Sequence, residues 1–276
     1  MAGTLLLYEP AIRLGAFISI FVAMALWEFR APRRLQTIGR PRRWSGNLGI
    51  AALNTLLVRL AFPTAAAGMA PLAEAHGWGL FHAIQAPAWL AIIAAVIFLD
   101  LAVYLQHVLF HAVPVLWRLH RMHHADLEFD VTTGARSHPV EILLSMTIKL
   151  GVVAALGAPA VAVLIFEVLL NATSMFNHGN IRLAERLDGL LRWIVVTPDM
   201  HRVHHSVIPH ETNSNFGFNV PWWDRLFGTY RAQPAGGHQE MMIGIAQFRS
   251  PHELRLDRML TQPFRKDACL YPLADC

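Results

Sequence analysis

Apolar residues in this chain run in long unbroken blocks, and the blocks predict membrane-embedded helices. Residues 14–29 (LGAFISIFVAMALWEF), 48–72 and 88–110 each approach the roughly 20 residues that a spanning helix needs. The block 142–175 is longer but is broken at Gly157-Ala158-Pro159. It reads as two short helices in a hairpin, each short for an upright crossing and open to a re-entrant arrangement. The first block lacks a basic start and a small-residue cleavage site, so it is expected to be a retained anchor rather than a signal peptide. Polar residues gather between the blocks, above all from 107 to 141 and from 177 to 231. The expected architecture is all-α: about four membrane-embedded helices or helical hairpins, with a helical cap on one side.

Composition agrees with a membrane protein. Of 276 residues, 54% are hydrophobic and 15% charged, with a positive mean hydropathy. The formal charge of +4 comes almost wholly from arginine. Its clustering favours a membrane surface over nucleic acid. The linker 30–46 (RAPRRLQTIGRPRRWSG) carries six arginines and no acid, whereas 73–87 carries no Lys or Arg. The positive-inside rule therefore places the linker in the cytoplasm and the N-terminus outside. The third block then delivers residue 107 to the cytoplasmic face, and the hairpin returns the chain to that face. Cys269 and Cys276 are the only cysteines, so neither a disulfide framework nor a Cys-x-x-Cys site is expected.

Histidine is the chemistry-bearing residue. Eleven of 15 fall between 107 and 210, and the topology drawn from arginine alone brings all of them to one side. His107 and His111 are spaced i, i+4, which puts both rings on one helix face. Two H-x-x-H-H triplets follow, His120-His123-His124 and His201-His204-His205. Thr197 and Pro198 read as N-cap and first residue of a helix that would carry the second triplet. A lone histidine is usually structural, but three such groups at bilayer depth are costly unless their lone pairs are occupied. Imidazole suits iron, zinc, copper or nickel. Nine or more imidazoles exceed one ion, so two metals held mainly by nitrogen are implied. His76, His82, His238 and His252 have no partner at ligand spacing. There is no Glu-x-x-His of soluble di-iron bundles and no His-Glu-x-x-His of zinc proteases.

The three boxes resemble those of the fatty acid hydroxylase/sterol desaturase superfamily. So do SHPVE (137–141), NHGNIR (177–182), TPDMHRVHHS (197–206) and NFGFNVPWWDRLFGTY (215–230), with Phe216 where that family usually has Tyr. The resemblance covers roughly 95–231, leaving 1–94 as anchor helices and 232–276 as a cytoplasmic tail. It implies a membrane-bound di-iron enzyme that uses O2 to hydroxylate or desaturate a lipid C–H bond, the substrate being a sterol, fatty acyl chain, alkyl glycerol ether or carotenoid. It implies metal ligation by His107, His111, His120, His123, His124, His178, His201, His204 and His205, with His138 a less direct candidate beside Glu141. Zinc is an alternative occupant. Asp126, Glu128, Asp199 and Asp224 are candidates to orient ring N–H groups, and Trp222, Trp223 and Tyr230 to sit at the interface. The chain shows no haem domain, nucleotide-binding glycine loop or iron–sulfur cysteine set, so a separate electron-donor protein is expected. The linker arginines are a candidate docking surface for it. A zinc-dependent membrane hydrolase and a non-catalytic metal- or haem-binding protein are the alternatives.

Overall fold

The structure is a computed structural model that describes residues 7–63, 65–265 and 271–273. Cys269 and Cys276 lie outside the described residues. Among the described residues there is no strand, only helices, turns and two isolated bridges. Eight helices organise the chain: α1 (Glu9–Arg30), α2 (Arg40–Ala61), α3 (Ala65–His76), α4 (Ala88–Ala112), α5 (Pro114–His124), α6 (Pro139–Leu156), α7 (Ala160–Asn177) and α8 (Pro198–His204). Shorter helical turns fill the remainder.

Four of these, α1, α4, α6 and α7, are long and apolar enough to cross a membrane. At 1.5 Å per residue, the 18 residues of α6 or α7 reach about 27 Å, close to a hydrocarbon core of about 30 Å. The break expected at 157–159 is present. Gly157 takes φ +64 as the C-cap of α6, and a Cβ there would lie 2.4 Å from Trp78 O, so glycine serves both the left-handed turn and the close approach of the 77–84 loop.

The block 48–72 is not one helix. Its apolar run is divided between α2 and α3, the first ending at Phe62 just before Pro63. α2 also begins earlier than hydropathy suggests, with Pro41 in its first turn, because its first half is polar and belongs to the cap. Between them, α2 and α3 carry the chain from the cap to the α6–α7 turn.

α7 packs on α1, α3 and α4, and α6 on α2, α3 and α4. Small residues at these crossings, Ala91, Ala95 and Ala162, let the backbones approach, while Leu99, Val153, Val163 and Phe166 fill the core. The outer faces stay apolar and exposed: Leu14, Ile18 and Val22 recur every fourth residue on α1, and Trp89, Ile93 and Ile97 do so on α4. That is the surface a helix presents to lipid.

The linker arginines latch the cap. Arg43, with no exposed surface, forms a bidentate pair with Asp126 (Nε–Oδ1 and Nη2–Oδ2, both 2.9 Å) and reaches Asp130. Those hydrogen-bonded contacts hold the Asp126 carboxyl well below its usual range even though burial opposes ionisation. Arg34 donates to the carbonyls of His238 and Met241, Arg33 pairs with Asp199, and Arg40 stacks over Phe29. Breaking one partner of a buried pair costs about 3–5 kcal/mol, so Arg43 belongs to the scaffold. Arg59, at the end of α2, is exposed.

Candidate metal centre

Four elements converge on one buried volume at the cap end of the spans. α4 brings His107 and His111 through its last turns. α5 starts at Pro114 as Val113 turns the chain, and carries His120, His123 and His124. α8 begins as its sequence predicts: Thr197 Oγ1 accepts from Met200 N at 3.3 Å, with Pro198 at the first position. His201 and His204 lie on α8 and His205 caps it. His178 caps the end of α7.

The nine imidazoles sort into two groups, whose ligand atoms lie within 4.8 Å of one another: His107, His111, His120, His124 and His204 in one, His123, His178, His201 and His205 in the other. This explains the repeated H-x-x-H-H. In α5 the i, i+4 pair His120 and His124 serves the first group while His123 serves the second. In the other triplet the assignment is exchanged: His201 and His205 serve the second group and His204 the first. Each triplet thus bridges both groups, whose rings meet where His124 stacks on His205 at 4.6 Å.

The rings fit metal ligation. None of the nine is more than 6% exposed. Burial, reinforced by the neighbouring imidazoles, holds His120, His123, His124, His201, His204 and His205 well below their ordinary pKa, and His178 is pushed down to about 3 by burial. All seven are therefore neutral at neutral pH, the form with a free lone pair. Five Nδ1–H groups donate outward to fixed oxygens: His107 to Phe216 O (2.8 Å), His111 to Asn213 Oδ1 (3.0 Å), His123 to Arg136 O (3.0 Å), His178 to Ser174 O (2.8 Å) and His204 to Ser214 O (2.8 Å). His120 Nδ1 meets the Glu141 carboxylate at 2.8 Å. With Nδ1 engaged, Nε2 faces inward.

Inward Nε2 atoms approach at 3.1 Å (His107–His120), 3.2 Å (His120–His124 and His178–His201) and 3.3 Å (His123–His178). Nitrogens bound at about 2.0–2.1 Å to one ion sit roughly 2.9–3.4 Å apart. His111 Nε2, His204 Nε2 and both nitrogens of His205 are buried with no hydrogen-bond partner. Buried polar atoms are rarely left this way, and a cation at this position would supply the partner that these lack.

Beside the histidines lies an apolar cavity between α4, α6 and α7, with about 950 Å³ of empty space measured out to its open mouth. Leu99, Val103, Ile142, Met146, Phe166 and Leu170 line its body, and His107, His120, His123 and Glu141 its inner end.

The family model described as Fatty acid hydroxylase matches residues 92–229, half of the chain and all nine clustered histidines. The chain belongs to the fatty acid hydroxylase family. Ornithine lipid hydroxylase OlsE of Rhizobium tropici is 28% identical over 209 residues, covering 75% of this chain and 60% of that protein. Alkylglycerol monooxygenase of Xenopus tropicalis is 27% identical over 136 residues, 48% of this chain and 28% of the relative. Fatty acid hydroxylase vlmA of Lecanicillium sp is 24% identical over 200 residues, 67% and 52% of the two chains. The chain thus spans less than two thirds of the length of these relatives. No solved structure matches.

Several candidates fall outside the two histidine groups. His138 stands outside both groups as the N-cap of α6, its Nδ1 accepting from Val140 N (3.2 Å) and its Nε2 donating to Leu260 O (3.3 Å). His210 is exposed. Hydrogen bonds tie none of the four candidate carboxylates to a clustered ring. Asp126 serves Arg43, Glu128 accepts from Thr37 and Ile38, and Asp199 binds Arg33 and Arg202. Asp224 acts one step removed, accepting from Phe216 N and Gly217 N and so fixing the carbonyl that holds His107. Trp223 donates to Asp100 on α4, and Trp222, half exposed, to Trp193 O.

Glu141 is the carboxylate that touches a box histidine. Glu141→Ala is expected to weaken metal retention by about 10–100-fold. Glu141→Gln, which keeps an acceptor for His120 Nδ1, should restore most of it. Chelator competition measures both, and equal retention in wild type and the alanine variant would remove Glu141 from this role.

Proposed function

We propose that this protein is a membrane-embedded, O2-dependent lipid hydroxylase that holds two iron ions in its nine-histidine centre, with that centre facing the cytoplasm. The observation that carries the reading is the junction of two groups of neutral, buried imidazoles with the inner end of an apolar cavity between membrane-length helices. The names of the relatives, hydroxylases and monooxygenases of lipids, favour hydroxylation over desaturation.

In this reading His107, His111, His120, His124 and His204 hold one ion and His123, His178, His201 and His205 the other. Bound ferrous iron would supply the electrons and Lewis acidity that O2 activation needs. The protein's own part is positioning and exclusion of water. Carbonyls and Asn213 lock the ring tautomers, Glu141 orients His120, and the apolar lining admits an acyl or alkyl chain while keeping water from the centre. Residues 95–231 carry all nine ligands. Monooxygenation consumes two electrons beyond those of the substrate C–H bond, so a separate electron-donor protein delivers them from the cytoplasmic side.

Reconstitution into lipid bilayers with iron and a chemical or protein reductant tests the reading. Under ¹⁸O₂, one labelled oxygen atom should appear in a hydroxylated lipid. Lipid turnover without O2 or reductant would point instead to a hydrolase with zinc at the same nitrogens.

A further inference from the structure

At the start of α8, where Asp199 lies in the first turn, is a second and polar recess. It holds about 1530 Å³ of empty space measured to its open mouth, and five arginines (33, 182, 186, 192 and 225) line it against the three carboxylates Glu185, Asp188 and Asp199. Two of those carboxylates are already occupied. Asp199 is paired with Arg33 and Arg202, and Asp188 with Arg192 at 2.6 Å. Arg182 and Arg186 are exposed and have no ion-pair partner among the described residues.

Two features mark the recess as more than a solvated basic patch. Arg225 is held rigidly, its guanidinium 4.0 Å from the Trp193 ring centroid and 4.1 Å from that of Tyr230 while donating to Arg192 O at 3.1 Å. His238 is only 6% exposed, yet neither of its ring nitrogens has a hydrogen-bond partner, and the nearest carboxylate oxygen, on Asp199, is 3.7 Å away. An imidazole buried at the wall of a cationic recess with nothing to bind is a site waiting for an anionic acceptor.

The surroundings say what bears the anion. Leu190, Trp193, Ile194, Leu226 and Phe227, each between 52% and 69% exposed, form an apolar rim around the short helix Glu185–Leu191 and the 222–227 turn. Phe227 also stacks on Tyr104 of α4 at 5.4 Å, which ties this rim to a spanning helix less than one turn before His107 of the first box. An exposed apolar face beside arginines is the pattern of a segment lying in the headgroup boundary, with its apolar side in the acyl region. Guanidinium groups match phosphate oxygens in charge and in fork geometry.

We propose that this recess binds the phosphate of an anionic membrane lipid, with the lipid's chains lying over the Trp193–Phe227 rim. The bound headgroup anchors the cap against the bilayer at the third box, because Asp199, which shares the recess, starts the helix that carries His201. The proposal does not depend on the reaction performed at the histidines.

The test uses the full chain purified in detergent and mixed with phosphatidylglycerol, diacylglycerol or inorganic phosphate, with bound lipid quantified by native mass spectrometry. Phosphatidylglycerol should be retained, diacylglycerol should not, and millimolar inorganic phosphate should fail to displace the lipid. The Arg182→Gln/Arg186→Gln double variant, whose side chains are exposed and outside the metal centre, should lose affinity for phosphatidylglycerol by about 30-fold, equivalent to about 1 kcal/mol per arginine at an anionic surface. Its metal content should match wild type, which separates loss of the site from loss of the fold. Equal retention of diacylglycerol, unchanged affinity in the double variant, or displacement by free phosphate would each overturn the proposal. The last outcome would assign the recess to a soluble phosphate.

Discussion

His204→Ala is expected to abolish lipid oxidation and to lower bound metal from about two ions per chain to about one, while the protein stays in the membrane. His204 belongs to the first group, where its ring centroid lies 4.5–4.8 Å from those of His107, His111 and His124. Its Nδ1 is tied to Ser214 O, and its Nε2 is buried with nothing else to bind. Truncation removes that nitrogen and opens a void among neutral imidazoles. The second group keeps all four of its residues, so the loss should be partial in metal and complete in turnover, because the chemistry proposed here needs both ions. Insertion rests on the apolar helices and is untouched. Metal analysis of purified protein and lipid product analysis together check this. Wild-type turnover in the variant would sink the three-box assignment. His138→Ala, which removes a helix cap, should leave metal content unchanged.

The sequence made the histidines legible because their spacing is local. An i, i+4 pair must share a helix face, and Thr197-Pro198 announces its own helix start, so the boxes and their helices follow from neighbours in the chain. The hairpin was equally open to reading, since Gly157 and Pro159 interrupt an otherwise continuous apolar run. What could not be read depends on partners far apart. Asp126 looked like a candidate for a ring N–H, but the structure gives it to Arg43, 83 positions away. The oxygens that fix His107, His123, His178 and His204 belong to backbone carbonyls, which leave no trace in residue identity. The division of 48–72 went unseen for a related reason. Hydropathy averages over the Phe62-Pro63 break, and it does not register that the polar first half of α2 meets partners in the cap for Arg43 and Asn47. His238, without a ligand-spaced neighbour in sequence, became informative only once its surroundings were visible.

A cysteine at position 236 should be labelled only by reagents that enter the cytoplasm, and one at position 75 should be labelled from outside. The arginine-rich linker that sets this orientation bridges to the histidine end of the molecule, where Arg33 N donates to Asn180 O at 3.0 Å. The 77–84 loop, by contrast, packs against the α6–α7 turn, where a Cβ on Gly79 would fall 2.0 Å from Gly157 N. The two loops therefore mark opposite ends of the spanning helices. Gly134, also at the histidine end, is unsuitable for a probe, since a Cβ there would meet Ser174 Oγ at 2.8 Å and His178 Nδ1 at 3.1 Å. Gly236 is exposed, with its nearest Cβ contact at 3.7 Å, and Ala75 is exposed on α3. The experiment thus uses Gly236→Cys and Ala75→Cys after Cys269 and Cys276 are replaced by serine, with impermeant and permeant maleimides applied to intact cells. Labelling of Gly236→Cys from outside would invert the topology. It would also move the metal centre away from cytoplasmic reductant, so an active enzyme in that orientation would require electrons from the other side of the membrane.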